Sequence, residues 1–560
     1  MQRGRLLSRF EFTRLCRHEF FEVSAMTNLN VSEPDTQRSE TGDKPLLTCK
    51  SFWLFVGLVV LGLASRIINF AHARSLWLDE LLISFQITAH TVVQMLFNRL
   101  ESGHVAPPGF LIITKYATSL FGVNEFSLRV LPFIFSIFGI LVACSFAHRT
   151  TALSISSRAV FLALLSLSPV LGLYAAEGKQ YGVDVAITVW LLALALQDGP
   201  LIDRWKQLAL WGGCALFFSH PAVFILAGIG FAIIIERETW QTNRSRLQCG
   251  AVFVTWLVSF ALVFAPVLNA GASNPALIRF WRAGFGPGWP NSWSELRWYL
   301  DSGVNLMEVA FSSARRFGAG EGDPRFFVPG LLLGLMTAIG LLFSGLAIPR
   351  LGRITIVVLA GALIASSLRL YPFRGRLILY LVPFVYLGAG GCFHGFHRWP
   401  KLSKAMSILG AVLLAGLAAP PALWGLCHPY DKPQIKLAME CVKASRLPKD
   451  TFYLLPSSKD AFLHYSNGMN IRLTRIKDIR WSYKQQKKSS GIKLTEVIDG
   501  ILPLDNSRIW VVGFHRTDTF FPLLSSLDAH GMVVQKCIGE GAEAWLLQRA
   551  TQKPVSANTG

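Results

Sequence analysis

Long apolar segments dominate the chain and restrict it to folds that satisfy their backbone hydrogen bonds inside a lipid bilayer. Crossing the hydrocarbon core takes about 20 apolar helical residues, and only helices and closed barrels leave no backbone group unsatisfied there. Apolar runs recur at 52–70, 128–147, 159–175, 183–197, 207–219, 221–235, 249–267, 326–347, 354–368, 377–394 and 405–425. The sequence therefore predicts a polytopic α-helical membrane protein with about 11 spans.

Composition supports a membrane protein and argues against a nucleic-acid partner. Hydrophobic residues make up 52% of the chain. Charged residues make up 16%, against about 25% in soluble domains. The formal net charge is +20, but the lysines and arginines fall between the apolar runs. Short basic loops of this kind are typical of the cytoplasmic side of a membrane, so we expect no nucleic-acid binding.

Loop charge also predicts the orientation. With a cytoplasmic N-terminus, the short basic connections at 148–158, 203–206, 237–246, 349–353 and 397–404 all lie inside. The outer side then receives 71–127, 176–182, 268–325, 369–376, the turn at Ser219-His220 and the tail. We expect an integral protein of the bacterial inner membrane with its C-terminal domain in the periplasm.

Three domains follow from this reading. Residues 1–48 are polar and are interpreted as a disordered cytoplasmic tail, and residues 49–426 form the transmembrane domain. Residues 427–560 have a soluble composition, and about 130 residues suffice for a small extracytoplasmic α/β domain. Its predicted strands are 451–455, 508–513 and 543–547, and its predicted helices are 435–445 and 458–466. Cys427, Cys441 and Cys537 lie in this domain, where one disulfide is compatible but not required.

The first outer loop is predicted to be helical as well. Apolar residues recur at helical spacing over 81–100 and again over 110–120, with Pro107-Pro108-Gly109 between the two stretches. Both are too short to span a membrane. They are interpreted as amphipathic helices in the interface.

An acidic pair, Asp79-Glu80, follows the first span and should lie at the bilayer edge. Carboxylates at such a depth are costly and persist mainly where they line a wet cavity or take part in chemistry. Each has a structural alternative, because Asp79 could cap a helix and Glu80 could be a first-turn acid favoured by the helix dipole. The pair is the first candidate catalytic site.

Further polar residues fall on the same predicted face. Lys179 is suited to bind a phosphate, or it snorkels to lipid headgroups. Arg374 and Arg376 oppose the positive-inside trend and so require an anion, either a phosphate or acidic headgroups. The second outer loop adds a polar cluster that is expensive unless it faces an aqueous pocket, formed with Lys179 by Glu177, Gln180, Tyr181 and Asp184.

Several roles stay open at this stage. Asp184 would either pair with Lys179 or hold a cation, and Glu80 and Asp184 are the candidate ligands of a divalent metal whose use is undecided. His104 is a candidate substrate contact or a loop-ordering residue. His220 is interpreted as a helix-end residue. The loop 268–325 is rich in tryptophan, which either stacks on sugars or forms an interfacial belt: Trp281, Trp289, Trp293 and Trp298.

Four motifs in this order resemble those of the GT-C superfamily of membrane glycosyltransferases, specifically its protein-mannosyltransferase-like and RgtA-like branch of the family 39 type. They are Trp77-Leu78-Asp79-Glu80, His104–Phe110, Phe121–Arg129 and Tyr174–Asp184. His104 departs from the usual spacing, in which the histidine directly precedes the prolines.

The resemblance implies transfer of a hexose or pentose from a polyprenyl-phosphate donor to an acceptor hydroxyl on the extracytoplasmic side. It also implies that Asp79 is the general base, and a carboxylate can take the proton that the attacking hydroxyl loses. One base with a phosphate leaving group implies inversion. The partners are the donor, membrane lipids and a lipid, glycan or protein acceptor. The alternatives are a lipid-linked glycan ligase or polymerase, and a lipid or solute transporter, which would show internal repeats.

Overall fold

The computed structural model describes residues 49–97, 106–271, 275–311, 327–397, 433–455, 458–467, 508–514 and 532–548, with short pieces at 423, 469, 471, 476–478 and 528. His104, residues 1–48, Cys427 and all but residue 423 of the predicted span 405–425 lie outside this part of the chain.

Helices account for most of the described residues before residue 398. They are α1 Cys49–Ala71, α2 Leu78–Ala89, α3 Val92–Phe97, α4 Pro108–Phe121, α5 Glu125–Arg149, α6 Ile155–Leu167, α7 Pro169–Ala175, α8 Tyr181–Ala195, α9 Trp205–Phe218, α10 Ala222–Ile235, α11 Asn243–Gly271, α12 Pro275–Phe280, α13 Trp293–Phe311, α14 Phe327–Ala347, α15 Pro349–Ser367 and α16 Val382–His397. Short 3₁₀ helices lie at Leu201–Arg204, Arg237–Trp240, Arg282–Gly284 and Gly375–Leu381.

Within the described residues, six helical segments are long and apolar enough to cross a membrane, and the bent pair α6–α7 makes a seventh if it is one span. That pair bends by 48° where Ser168 caps α7 and Pro169 occupies its first turn. The helices α8 and α10 are apolar but shorter. The prediction of a helical membrane protein is confirmed at this level, whereas the count of eleven spans is not.

Close helix packing depends on small residues. A Cβ atom on Gly340 of α14 would collide with the carbonyl oxygen of Gly388 of α16, so a side chain there would force the two helices apart. Small residues of this kind let helix backbones approach closely within a membrane.

Two sets of contacts join loops of the helical bundle. At one end, Arg350 donates to Glu236 at 2.7 Å and to the carbonyl oxygens of Ala195 and Gly199 at 2.9 Å each. Elsewhere, the amide of Phe373 donates to the carbonyl of Gly284 at 2.7 Å, which joins the predicted outer loops 268–325 and 369–376. Which end faces the cytoplasm stays a prediction.

The first outer loop contains α2, α3 and α4, so both predicted stretches in it are helical. At the start of α2 the Glu80 carboxylate accepts a hydrogen bond from the backbone amide of Trp77 at 2.8 Å, as the third helical residue does in a capping box.

The C-terminal residues form a five-stranded sheet in the order β2-β1-β3-β5-β4, built from β1 Thr451–Leu454, β2 Ile476–Asp478, β3 Ile509–Phe514, β4 Val533–Gly539 and β5 Ala542–Leu547. Strand β1 is parallel to β2 and β3, whereas β5 is antiparallel to β3 and β4. Two helices accompany the sheet, α17 Ile435–Ser445 and α18 Lys459–Tyr465. A disulfide links Cys441 of α17 to Cys537 of β4.

Candidate active site

Glu80 ties α2 to two neighbouring segments. Its carboxylate is fully buried and accepts hydrogen bonds from the backbone amides of Trp77 at 2.8 Å and Gly178 at 2.7 Å. Arg129 of α5 adds two more, from Nε at 2.8 Å and from Nη2 at 2.9 Å. The residue therefore joins the first outer loop, the second outer loop and the start of α5.

Two buried arginines complete this network. Arg129 also donates to the carbonyl of Arg74 at 2.8 Å. The Arg74 guanidinium lies 3.4 Å from Glu80 and 3.4 Å from Glu177, and it donates to the carbonyl of Ala176 at 3.0 Å. Sequence reasoning missed the roles of both arginines, although their positions were a signal. Arg74 follows the first apolar run and Arg129 lies at the start of the second, and an arginine at the end of a span requires a partner.

The Asp79 side chain contacts a different arginine from those that pair with Glu80. Its carboxylate Oδ2 lies 2.5 Å from Nη2 of Arg376, and Asp79 is only 9% exposed. The Arg376 guanidinium also lies over the ring of Tyr181, 5.5 Å from its centre, and 5.9 Å from the ring centre of Trp281. Four predicted outer segments, 71–127, 176–182, 268–325 and 369–376, therefore converge on one carboxylate and one guanidinium.

Lys179 is the second cation of this region. The residue is 4% exposed, and burial lowers the pKa of its ammonium to about 8, an effect that the nearby Asp79 carboxylate partly opposes. Among the residues that the structure describes, none forms a hydrogen bond or ion pair with this ammonium. A buried ammonium in such a position is suited to receive an anion.

The other predicted site residues lie in different surroundings. Glu177 and Gln180 are buried, and Glu177 belongs to the Arg74 network. Of the two predicted arginines, Arg376 makes the ion pair with Asp79, whereas Arg374 is half-buried beside Gly284.

The predicted tryptophans differ in their surroundings. The ring of Trp281 contacts the Arg376 guanidinium, whereas Trp289 and Trp293 are 80% and 72% exposed, as residues of an interfacial belt would be.

Asp184 lies one turn into α8, and no ion pair or hydrogen bond joins it to Lys179 among the described residues. Its side chain is turned toward Ser219 and is close enough to Tyr371 to raise the pKa of that buried phenol further above its usual value. The reason is helical geometry, since Lys179 precedes α8 and its side chain faces the Asp79 side instead.

The predicted metal ligands do not come together. Within the described ranges, no group of three or more His, Cys, Asp and Glu side chains is arranged to hold a metal ion. Glu80 is engaged by arginines and amides, and Asp184 faces Ser219. His220 is buried beside Phe264, and burial lowers its pKa to about 4.

The C-terminal domain contacts the segment that leads to Asp79. The phenol oxygen of Tyr465 in α18 accepts a hydrogen bond from the amide of Leu76 at 2.8 Å and lies 3.2 Å from a carboxylate oxygen of Glu125. The amide of Lys436 donates to the hydroxyl of Ser75 at 3.0 Å. Residues from both α17 and α18 therefore hold the chain just before α2. Sequence reasoning missed these contacts because they join distant parts of the chain.

Part of the chain is similar to a known protein family. Residues 105–268 match the family model described as dolichyl-phosphate-mannose-protein mannosyltransferase. This match confirms the predicted resemblance. The match covers residues 105–268 only, which is less than half of the chain. No curated protein matches the chain at a significant level.

Solved structures that align with this chain include ArnT from Cupriavidus metallidurans, in the apo state and bound to undecaprenyl phosphate. Each is 11% identical and covers 89% of this chain and 98% of its own, with TM-scores of 0.47 and 0.45 respectively. The Archaeoglobus fulgidus oligosaccharyltransferase, in a complex with Zn and sulfate, is 12% identical, covers 74% of this chain and 61% of its own, and gives a TM-score of 0.43. Likeness at this level carries no argument about individual residues.

Proposed function

We propose that this protein transfers a sugar from a polyprenyl-phosphate donor to an acceptor hydroxyl, with inversion and with Asp79 as the general base. One observation carries the proposal: a nearly buried carboxylate lies 2.5 Å from Arg376 in a region that also contains the buried ammonium of Lys179. A base beside two cations is the arrangement that a hydroxyl nucleophile and an anionic leaving group require.

Lys179 and Arg376 bind the donor phosphate. Lys179 supplies a compact charge, and the planar Arg376 fork can engage two phosphate oxygens. Arg374, on the same turn, draws the anionic headgroup toward the site without touching Asp79. Before the donor binds, contacts with the rings of Tyr181 and Trp281 hold the Arg376 guanidinium in place.

The reaction is a single displacement. The acceptor oxygen attacks the anomeric carbon, its proton passes to the Asp79 carboxylate, and the bond from the anomeric carbon to the phosphate oxygen breaks with its electron pair on the phosphate. Because Arg376 pairs with Asp79 in the donor-free structure, the donor phosphate competes for this guanidinium and frees the carboxylate to accept the proton.

Glu80 is a positioning residue in this scheme. Its carboxylate is occupied by Arg129 and two backbone amides and has no access to solvent, so it cannot meet a substrate without breaking the network. It fixes the first turn of α2 and thereby the direction of the Asp79 side chain.

The site is proposed to face the periplasm of a bacterial inner membrane, with the cytoplasmic tail at 1–48, the transmembrane domain at 49–426 and the periplasmic domain at 427–560. The disulfide between Cys441 and Cys537 supports this side, because disulfides persist in oxidising compartments. The acceptor is a lipid, a glycan or a protein, and the C-terminal domain beside Ser75 and Leu76 is well placed to select it.

The function is tested by glycan mass spectrometry of envelope lipids and proteins from cells with and without the gene. The proposal expects one sugar modification to disappear on deletion and to return with the wild-type gene. An unchanged set of glycans in the deletion strain, under conditions in which the wild type makes the protein, would contradict it.

A further inference from the structure

A second group of polar atoms lies beside the proposed phosphate site and has no role in the chemistry described above. Three segments supply it: α8 provides Asp184, the turn after α9 provides Ser219, and the 3₁₀ helix Gly375–Leu381 provides Tyr380. These residues are 3%, 1% and 1% exposed. Asp184 Oδ1, Ser219 Oγ and the Tyr380 hydroxyl are all buried without a well-formed hydrogen bond among the described residues.

The Asp184 carboxylate, the Ser219 hydroxyl and the Tyr380 hydroxyl lie near one another. The Ser219 hydroxyl lies beside the Asp184 carboxylate, and that carboxylate is close enough to Tyr380 and Tyr371 to influence both phenols electrostatically. The hydroxyl of Tyr371 is already used, because it donates to the carbonyl of Leu377 at 2.9 Å.

Aromatic rings line the same place. The ring of Phe224 stacks on that of Tyr380 with centres 5.7 Å apart, and the ring of Tyr371 lies 5.7 Å from Phe224 and 6.2 Å from Tyr380. Buried polar groups in such apolar surroundings are costly unless something satisfies them. A ligand that brings hydroxyl groups and a flat apolar face would satisfy them.

The chemistry of the three groups specifies neighbouring hydroxyls. A carboxylate accepts from two hydroxyls at once, and a phenol and a serine hydroxyl each donate and accept. A carboxylate, a phenol and a serine hydroxyl can therefore hydrogen-bond the hydroxyl groups of a sugar ring, and the aromatic rings can pack against its C–H face.

The position of the group relative to the phosphate site fits the sugar of the same donor. Tyr181, whose ring lies 5.5 Å from the Arg376 guanidinium, precedes Asp184 by three residues on α8. Helix residues three apart lie on one face, about 5–6 Å from each other, which is close to the width of one sugar ring. A phosphate held by Arg376 would therefore place its sugar beside Asp184.

We propose that Asp184, Ser219 and Tyr380 form the subsite that binds the hydroxyl groups of the donor sugar. This inference rests on the proposed function, since it takes the phosphate to be bound at Lys179 and Arg376. It gives Asp184 a role in donor recognition rather than in pairing with Lys179 or in metal binding.

The test uses Tyr380→Phe, which removes a hydroxyl that has no described partner and should therefore leave the melting temperature unchanged or raised. The matched control is Tyr386→Phe in α16, whose hydroxyl donates to the carbonyl of Ala310 at 2.6 Å. Dissociation constants are measured in nanodiscs for undecaprenyl phosphate and for undecaprenyl phosphate bearing mannose, glucose, galactose or arabinose.

We expect the wild type to bind at least one sugar-bearing lipid about tenfold more tightly than undecaprenyl phosphate, the equivalent of one or two hydrogen bonds. Tyr380→Phe and Asp184→Asn should remove most of this preference and leave the affinity for undecaprenyl phosphate unchanged. Tyr386→Phe should keep the preference but lower the melting temperature.

Two results would overturn the subsite alone: no preference for any sugar-bearing lipid in the wild type, or an unchanged preference in both Tyr380→Phe and Asp184→Asn. Absence of any binding of undecaprenyl phosphate to the wild type would overturn the phosphate site and the proposed function together with the subsite. The two failures are therefore distinguishable.

Discussion

The guanidinium of Arg376 lies 2.5 Å from the carboxylate of Asp79, and the pair joins the 3₁₀ helix Gly375–Leu381 to the first turn of α2. In the donor-free protein the Asp79 carboxylate is therefore paired with the same guanidinium that is proposed to bind the donor phosphate. The base and the phosphate-binding residue are already in contact before the donor binds.

Replacing Arg376 tests this relationship. Arg376→Gln should lower kcat/KM for the donor by about 30-fold, because a charge-assisted hydrogen bond contributes about 2 kcal/mol. Arg376→Lys should recover only part of the loss, since lysine lacks the planar fork. Steady-state kinetics with a purified donor provide the measurement. Arg297→Gln is the matched control, because Arg297 pairs with Asp301 on the surface, where the side chains are 64% and 51% exposed. Equal rates for Arg376→Gln and Arg297→Gln would refute the role.

Donor binding should depend on pH through Lys179. Its ammonium has a pKa of about 8 in the donor-free protein, and an anionic phosphate favours the charged form. Affinity is therefore fully present below pH 8 and falls above it, by up to about tenfold per pH unit until the raised pKa of the complex is reached. Dissociation constants for undecaprenyl phosphate between about pH 6 and 10 measure this. Lys179→Arg should flatten the decline, and a decline that persists in this variant would assign the titration to another group.

Glu80 should act on stability more than on chemistry. Glu80→Gln leaves Arg74 and Arg129 without their shared carboxylate, which should cost about 3 kcal/mol or more of folding free energy. Thermal unfolding in nanodiscs measures the change, and Glu238→Gln on an exposed turn is the control. A variant that keeps the wild-type melting temperature but loses transfer would show that Glu80 acts directly in the reaction.

Tyr465 should connect the C-terminal domain to the active site. Tyr465→Phe removes the acceptor for the Leu76 amide and the contact with Glu125, so the segment before α2 should loosen. Hydrogen exchange at Leu76 should accelerate and kcat should fall several-fold, while the affinity for undecaprenyl phosphate holds, because Lys179 and Arg376 are untouched. Tyr116→Phe, at a residue that is 59% exposed on α4, serves as the control. Unchanged exchange at Leu76 would contradict the connection.

The sequence predicted what depends on local pattern. Apolar runs located α1, α5 and α14 to within a few residues, and the predicted strands 451–455, 508–513 and 543–547 coincide with β1, β3 and β5 to within one residue at each end. These features follow from the length and period of short segments, which a sequence displays directly.

Partnerships within the site were not predictable in the same way. That Asp79 would meet Arg376, and Glu80 would meet Arg129, depends on which helices become neighbours, and motif order does not contain that information. The sequence left open whether Asp184 pairs with Lys179 or holds a cation. The start of α8 between them sends their side chains in different directions.

Asp79→Asn is the most direct test of the central claim. The purified variant and the control Asp203→Asn, at an exposed position of the 3₁₀ helix Leu201–Arg204, are compared for transfer of the sugar from the undecaprenyl-phosphate sugar that the wild type binds most tightly. The account predicts a loss of at least about 100-fold in turnover for Asp79→Asn, with donor binding retained because Lys179 and Arg376 remain, and wild-type turnover for Asp203→Asn. Wild-type turnover in a well-folded Asp79→Asn protein would show that Asp79 is not the base.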